Sequence, residues 1–126
     1  MLEKPDFIFK IRFVADSNSL REKGLMFADP LEDDEAVFFI FPYEDKYSFW
    51  NKNVSFPLSL AFLDNRNRIL DILDMDAHCQ KGCTPCSNFV KYVVEVPSGA
   101  FKKRSINVGD RILQKDKHLH VLKNNI

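Results

Sequence analysis

The stretch FWNKNVSFPLSLAFLD, residues 49–64, decides how this chain is read. It opens on an aromatic pair, carries two asparagines two positions apart, and ends in an aspartate that starts a polar turn. It predicts two short strands joined at Val54 and Ser55. Along the first, taken as 47–53, a period of two puts Tyr47, Phe49, Asn51 and Asn53 on one face. Ser48, Trp50 and Lys52 fall on the other. One face passes from aromatic to amide, and the other sets an indole beside an ammonium.

Outward from this stretch the same period recurs. Residues 7–14 alternate, with Phe7, Phe9, Ile11 and Phe13 facing one way and Lys10 and Arg12 the other, as in a half-buried strand. Asp16 or Ser17 is placed to cap a short helix reaching Lys23, with Gly24 as its stop and Leu25, Met26 and Phe27 packing it down. Residues 30–35 form a polar turn. The run 36–41 is continuously apolar, which predicts a strand buried on both faces, ended by Pro42. Strands follow at 56–63 and 68–75, separated by the turn Asp64-Asn65-Arg66-Asn67, whose residues tolerate left-handed backbone. Residues 76–88 break the pattern. A strand resumes at 89–96, Pro97-Ser98-Gly99 turns the chain, 100–105 suits a helical turn, and 111–114 and 118–122 close the molecule.

Seven or eight short strands with turns between them predict a mainly β, compact, barrel-like domain with one or two short helices. At 126 residues the chain suits a single domain, residues 1–126, with one hydrophobic core. Twelve phenylalanines fit pleated, half-buried strands.

Charge narrows the function classes. Lysine plus arginine and aspartate plus glutamate both total 18, so there is no basic surplus of the kind a nucleic-acid surface needs. Lys102-Lys103-Arg104 reads as solvated surface. Glu32-Asp33-Asp34-Glu35 reads as a turn, lacking the alternating carboxylates and central glycine of a calcium loop. No segment reaches the eighteen or so apolar residues of a membrane helix. Met1-Leu2-Glu3-Lys4-Pro5 leads directly into a strand without a leader, which favours a cytoplasmic protein; an extracytoplasmic one follows if a leader was trimmed.

Four separated strings resemble one known pattern in order and spacing. They are REKGLMF (21–27), FFIFP (38–42), FWNKN with PLSLAFLD (49–64), and VVEVPSG followed by VGDRI (93–112). Together they resemble the prokaryotic family catalogued as domain of unknown function 192, over residues 7–113. The resemblance implies a compact β-rich, barrel-like fold and no settled activity. Relatives usually carry Met at the position of Asn51 and Asp at the position of Ser59, so any role of that aspartate is not carried over intact. Arg21 and Glu95 match family positions.

Three sets of residues are candidates for function. The first is a ligand-binding cleft lined by Trp50, Asn51, Lys52 and Asn53, with Arg21 and Glu95 nearby; apolar walls with a few directed polar groups are what such a cleft requires. The competing reading has Trp50 in the core and both asparagines satisfying turn backbone. Glu95, on the polar face of its strand with Lys91, is open to pairing with Arg21 or Lys52, or to hydration. This set predicts a non-catalytic module for an unknown small molecule or protein partner.

The second set is the loop His78-Cys79-Gln80-Lys81-Gly82-Cys83-Thr84-Pro85-Cys86. Cys79, Cys83 and Cys86 with His78, or with His118 or His120, would make a zinc site with three thiolates and one imidazole. The spacing is also that of an iron–sulfur motif in radical S-adenosylmethionine enzymes, but those need a larger barrel. Cys83-Thr84-Pro85-Cys86 lacks the βαβ context of a thioredoxin-like unit. Free surface thiols complete the alternatives. The third set is an enzyme using Glu95 and Asp110, although Asp110, after Gly109, suits a turn. No Ser/His/Asp set and no phosphate-cradling glycine loop is present, so the sequence leans away from catalysis.

Overall fold

The computed structural model describes residues 4–124. Residues 1–3, part of the expected lead-in, and residues 125–126 lie outside the described residues. The elements run β1 (Phe7–Ala15), α1 (Asn18–Lys23), β2 (Glu35–Asp45), β3 (Leu58–Leu63), β4 (Ile69–Met75), β5 (Val90–Pro97), α2 (Ala100–Lys103), β6 (Arg111–Lys115) and β7 (His118–Leu122).

All seven strands join one sheet in the order β4-β3-β5-β2-β1-β7-β6. Every neighbouring pair is antiparallel except β1 and β2, which are parallel. A parallel pair needs a crossover rather than a hairpin. Here the crossover is the segment containing α1. Ser17 caps α1 by accepting from the Leu20 N–H, and Gly24 ends it at φ 47°. That positive φ is the conformation glycine adopts without a Cβ penalty.

The sheet curls until its far edges meet. Arg68 bridges Arg111, the Ile69 N–H donates to the Asp110 carbonyl at 2.8 Å, and the Gly109 N–H donates to the Ile69 carbonyl at 2.9 Å. The result is a mainly β half-barrel. Inside the curl, Phe9, Phe38, Leu63, Val94, Phe101 and Leu119 belong to one apolar cluster. On the opposite face of the central strands, Val37, Phe39, Leu60, Phe62 and Val93 form a second. This outer cluster is covered by Leu25, Val54 and Phe56 together with half-buried Tyr47 and Phe49. Strands β2, β3 and β5 are thus buried on both faces, and continuous apolar runs such as AVFFIF and LSLAFL are the sequence trace of that burial.

Two expectations need correcting. The strand at 36–41 does not end at Pro42, because β2 continues to Asp45. Its register with β5 shifts between Ile40 and Asp45, an irregularity where a ladder tolerates proline. Residues 47–53 are not a ladder strand; an isolated bridge from Phe49 to Cys83 is their β pairing. The acidic turn and the basic cluster meet: Asp33 pairs with Lys103 at 2.8 Å and with Arg104 at 2.6 Å.

Phe62 is fully buried in β3, in the outer cluster. Phe62→Ala is expected to cost about 3–5 kcal/mol in chemical denaturation. Ile8→Ala, at a 41% exposed position, is expected to stay within about 0.5 kcal/mol.

Candidate functional site

A cleft of about 880 Å³ opens beside the outer cluster. One wall is α1 and the turn after it, the other is the segment 47–54, and Phe39 and Phe41 of β2 lie between them with Glu95 of β5. The position of the 47–54 wall follows from backbone groups that a regular ladder would have satisfied. The Phe49 N–H donates to the Cys83 carbonyl at 2.9 Å and the Cys83 N–H to the Phe49 carbonyl at 2.7 Å. The Asn51 side chain is buried, and its Nδ2 donates to the carbonyls of Phe56 and Asp76, each at 3.0 Å. Asn53 sits at φ 58°, and its carbonyl accepts from the Phe27 N–H at 2.9 Å. That bond joins the two walls.

Trp50 is 47% exposed at the rim, with Lys52 Nζ 5.3 Å from its ring centroid. Arg21 is committed elsewhere: Nη1 donates to the Ile40 carbonyl and Nη2 to Asn18 Oδ1, both at 2.7 Å, while Cζ lies 5.4 Å from the Phe41 ring centroid. Aromatic contacts stiffen the interior. Phe41 stacks on Tyr47 at 3.6 Å, and Phe39 meets Phe49 edge to face at 5.0 Å.

Glu95 is the unusual member. It stands opposite Val37 on one side and Leu60 on the other, on the face built from Phe39, Phe62 and Val93. Only 4% of the residue is exposed. Among the described residues its carboxyl has neither a hydrogen-bond partner nor an ion pair, and burial alone pushes its pKa from 4.5 to about 8. No buried side-chain oxygen among the described residues is both unpartnered and sealed from solvent, so the Glu95 oxygens keep access to the cleft they line.

The structure therefore brings together Arg21, Trp50, Asn51, Lys52 and Glu95, but Asn53 does not line the cleft. Asn51 acts on backbone. Glu95 is not on a polar strand face, and it pairs with neither Arg21 nor Lys52; the alternation that suggested solvent missed that β5 is covered on both sides. Phe27, expected in the core, is 81% exposed at φ 61° and lies on the rim.

Glu95 and Asp110 do not share a site. Asp110 accepts from the backbone N–H groups of Asn107 and Asn124, both at 2.8 Å, and ties the turn into β6. Ser59 donates to Asp74 Oδ1 at 2.6 Å and accepts from the Gly99 N–H at 3.0 Å. A carboxylate thus lies across the strand pair from the position where relatives carry aspartate.

The cysteine loop supports the cleft wall from behind. Cys79, Cys83 and Cys86 are free thiols. Cys83 packs on the outer cluster, and burial, with Asp71 next in effect, pushes its thiol up to about 11. Cys79 Sγ faces the Lys81 carbonyl at 3.7 Å, and the exposed Cys86 has its N–H on Asp71 Oδ2 at 3.3 Å. Among the described residues no three His, Cys, Asp or Glu side chains form a group able to hold a metal ion, so His78 and the three sulfurs do not converge. His118 and His120 lie on β7, paired with β1 and β6.

Fold and cleft together define the class: a curled, mainly β half-barrel with two short helices and an aromatic-walled side cleft. The chain belongs to the family of domain of unknown function 192, described as "Uncharacterized ACR", whose model matches residues 8–114. No curated protein matches it. Among solved structures it is similar to a protein of unknown function from Novosphingobium aromaticivorans DSM 12444, with TM-score 0.77 and 24% identity over 82% of this chain and 75% of that one. It is also similar to a protein from Sinorhizobium meliloti 1021 described as a proposed transcription regulator, with TM-score 0.77 and 27% identity over 82% of this chain and 79% of that one. No helix among the described residues is long and apolar enough to cross a membrane.

Two outcomes test this geometry. Asn51→Ala removes the side-chain donor from the Phe56 carbonyl, leaves the Asp76 carbonyl only the Cys79 N–H at 3.3 Å, and is expected to cost about 2 kcal/mol in urea denaturation. Glu95→Gln keeps the shape and removes the ionisation. The native carboxyl holds its proton up to about pH 8, whereas the unfolded one releases it near 4.5. Stability from this group is fully present below the lower value, falls as pH rises to the upper one, and is flat beyond it. From about pH 5 to about pH 9 the native protein is expected to lose roughly 3–5 kcal/mol relative to Glu95→Gln. A difference that does not change with pH would refute the assignment.

Proposed function

We propose that this chain is a small non-catalytic binding module whose ligand occupies the cleft between α1 and the 47–54 segment. The observation that supports it is the combination of aromatic walls, an exposed indole at the rim and a buried carboxyl without a partner. A cleft used only for packing gains nothing from the last two, since burying a polar group without compensation is unfavourable. Most of the wall is already held by backbone hydrogen bonds and ring contacts, so little ordering is left to be done on binding.

The description of the Sinorhizobium neighbour invites a nucleic-acid reading for this chain as well. The balanced charge gives that reading no support, because phosphate contacts require a basic surplus. A catalytic reading finds no hydrogen-bonded acid–base pair to stand on: Glu22, Lys23, Tyr47 and Lys52 share the cleft with Glu95, but among the described residues none of them is hydrogen-bonded to it.

A library of charged and neutral fragments, followed by chemical shifts in ¹⁵N-labelled protein, tests the proposal. The expected result is shifts clustered at Phe39, Phe49, Trp50 and Glu95. Trp50→Ala, which removes an exposed ring, is expected to weaken the cleft binders by about three- to tenfold. Shifts scattered over the surface, with none focused on the cleft, would sink the reading.

A further inference from the structure

We propose that the ligand of this cleft is an uncharged molecule with an apolar or aromatic body and a carboxamide-type N–H/C=O edge, and that the Glu95 carboxyl pairs with that edge. The inference rests on the cleft being a ligand site and goes on to name the chemistry of the ligand.

Three observations carry it. First, the Glu95 carboxyl faces the cleft without a protein partner, with Val37 and Leu60 as its cross-strand neighbours. A protonated carboxyl offers one donor and one acceptor side by side, which is the complement of an amide edge. Second, two of the aromatic faces that would cage an organic cation already carry a cation of the protein. Lys52 lies over Trp50, and Arg21 lies over Phe41, whose ring also stacks on Tyr47. Third, the charged groups around the mouth are Arg21, Lys23 and Lys52 with Glu22 as the lone carboxylate among them, a balance that repels a cation. What remains for a ligand is the apolar surface of Phe27, of half-buried Phe49 and of the part of the Trp50 ring that Lys52 leaves free, with the carboxyl itself.

The protonation state fits the same picture. The titratable groups that share the cleft with Glu95 are Arg21, Glu22 and Lys23 from α1 and Tyr47 and Lys52 from the 47–54 segment, and Cys83 of the cysteine loop lies within electrostatic reach; β2 and β3 present Val37, Phe39 and Leu60. None of them holds the carboxyl in its ionised form, and at neutral pH it keeps its proton.

Three near-isosteric probes separate the alternatives: benzamide (neutral), benzamidine (cationic) and benzoate (anionic). Each is titrated into ¹⁵N-labelled protein, with Trp50 fluorescence as a second readout, since this is the single tryptophan. Benzamide is expected to bind at about millimolar strength, as its size allows, and at least about fivefold tighter than the other two. Its affinity is expected to fall about five- to tenfold between about pH 6.5 and about pH 9.5 in the native protein. Glu95→Gln, which keeps a donor and an acceptor, is expected to retain benzamide binding and lose the pH dependence.

Tightest binding by benzamidine, or the same benzamide pH profile in both proteins, would overturn the inference and leave the cleft as a ligand site. The same holds if none of the three probes shifts the cleft while the fragment library does. If neither does, the binding reading falls with it.

Discussion

The constraint on which the structure depends is that its central strands are covered on both faces. One face closes by curling the sheet upon itself around Phe9, Phe38, Phe101 and Leu119. The other cannot close that way, so it takes its cover from connections: the chain after α1, with Leu25, Ala28 and Leu31, and the segment between β2 and β3. Burial of apolar surface drives both closures, at about 25 cal/mol per Å². The inner closure, however, is built from ladder strands that satisfy their own backbone. The outer cover is irregular chain, and its backbone groups need individual partners.

That difference explains why a cleft exists where it does. Residues 47–54 lie against the sheet without joining it, held by Asn51, by the Phe49–Cys83 bridge and by the carbonyl of Asn53. Each is a point attachment, so the segment is fixed in position without being zipped onto β2. The helix on the other side is only six residues long, too short to fill the gap. The segment is tied to the turn after the helix by the bond from the Phe27 N–H to the Asn53 carbonyl, and the cleft opens beside that contact. The cysteine loop enters this account as a brace. Its carbonyls at Cys79 and Cys83 accept from the segment, while its sulfurs stay apart.

Much of this was legible in the sequence. The alternation of Phe7, Phe9 and Ile11, the Ser17 cap, the Gly24 stop and the turn at 64–67 all rest on local physics, and the structure agrees with them; Phe13 departs, because the β1–β2 register shifts between Ile11 and Phe13 and turns its ring to the outer cluster. The short helical turn after Gly99 was equally local: Gly99 enters it at φ 82°. What escaped was non-local. Period-two burial does persist along 47–51, with Asn51 inside and Trp50 and Lys52 outside, which is why the segment read as a strand. Periodicity reports which side faces the core and not whether a neighbour is there to hydrogen-bond. The parallel pairing of β1 with β2 was hidden for a related reason. A crossover with a six-residue helix is too short to produce the strand–helix rhythm of an α/β sheet. Glu95 was misplaced because valines at alternate positions left it on the face assumed to be wet. In a strand covered on both sides, that alternation no longer marks solvent.

The same covering makes Glu95 hard to explain as a structural residue. Its neighbours across the ladder are Val37 and Leu60, so a leucine or valine there would extend the outer cluster and gain about 1.5–3 kcal/mol of apolar burial. The glutamate forgoes that gain and must also keep its proton at neutral pH. Asn51 and Asp110, also buried and polar, each satisfy two backbone groups and thereby support a turn or a wall. Glu95 supports nothing of the kind: no strand, cap or ion pair depends on it among the described residues. A group that weakens the fold and serves no structural contact, while facing an open aromatic cleft, is placed where a molecule from outside could complete its hydrogen bonds. The proposed ligand site thus rests on one carboxyl rather than on the aromatic stretch around it.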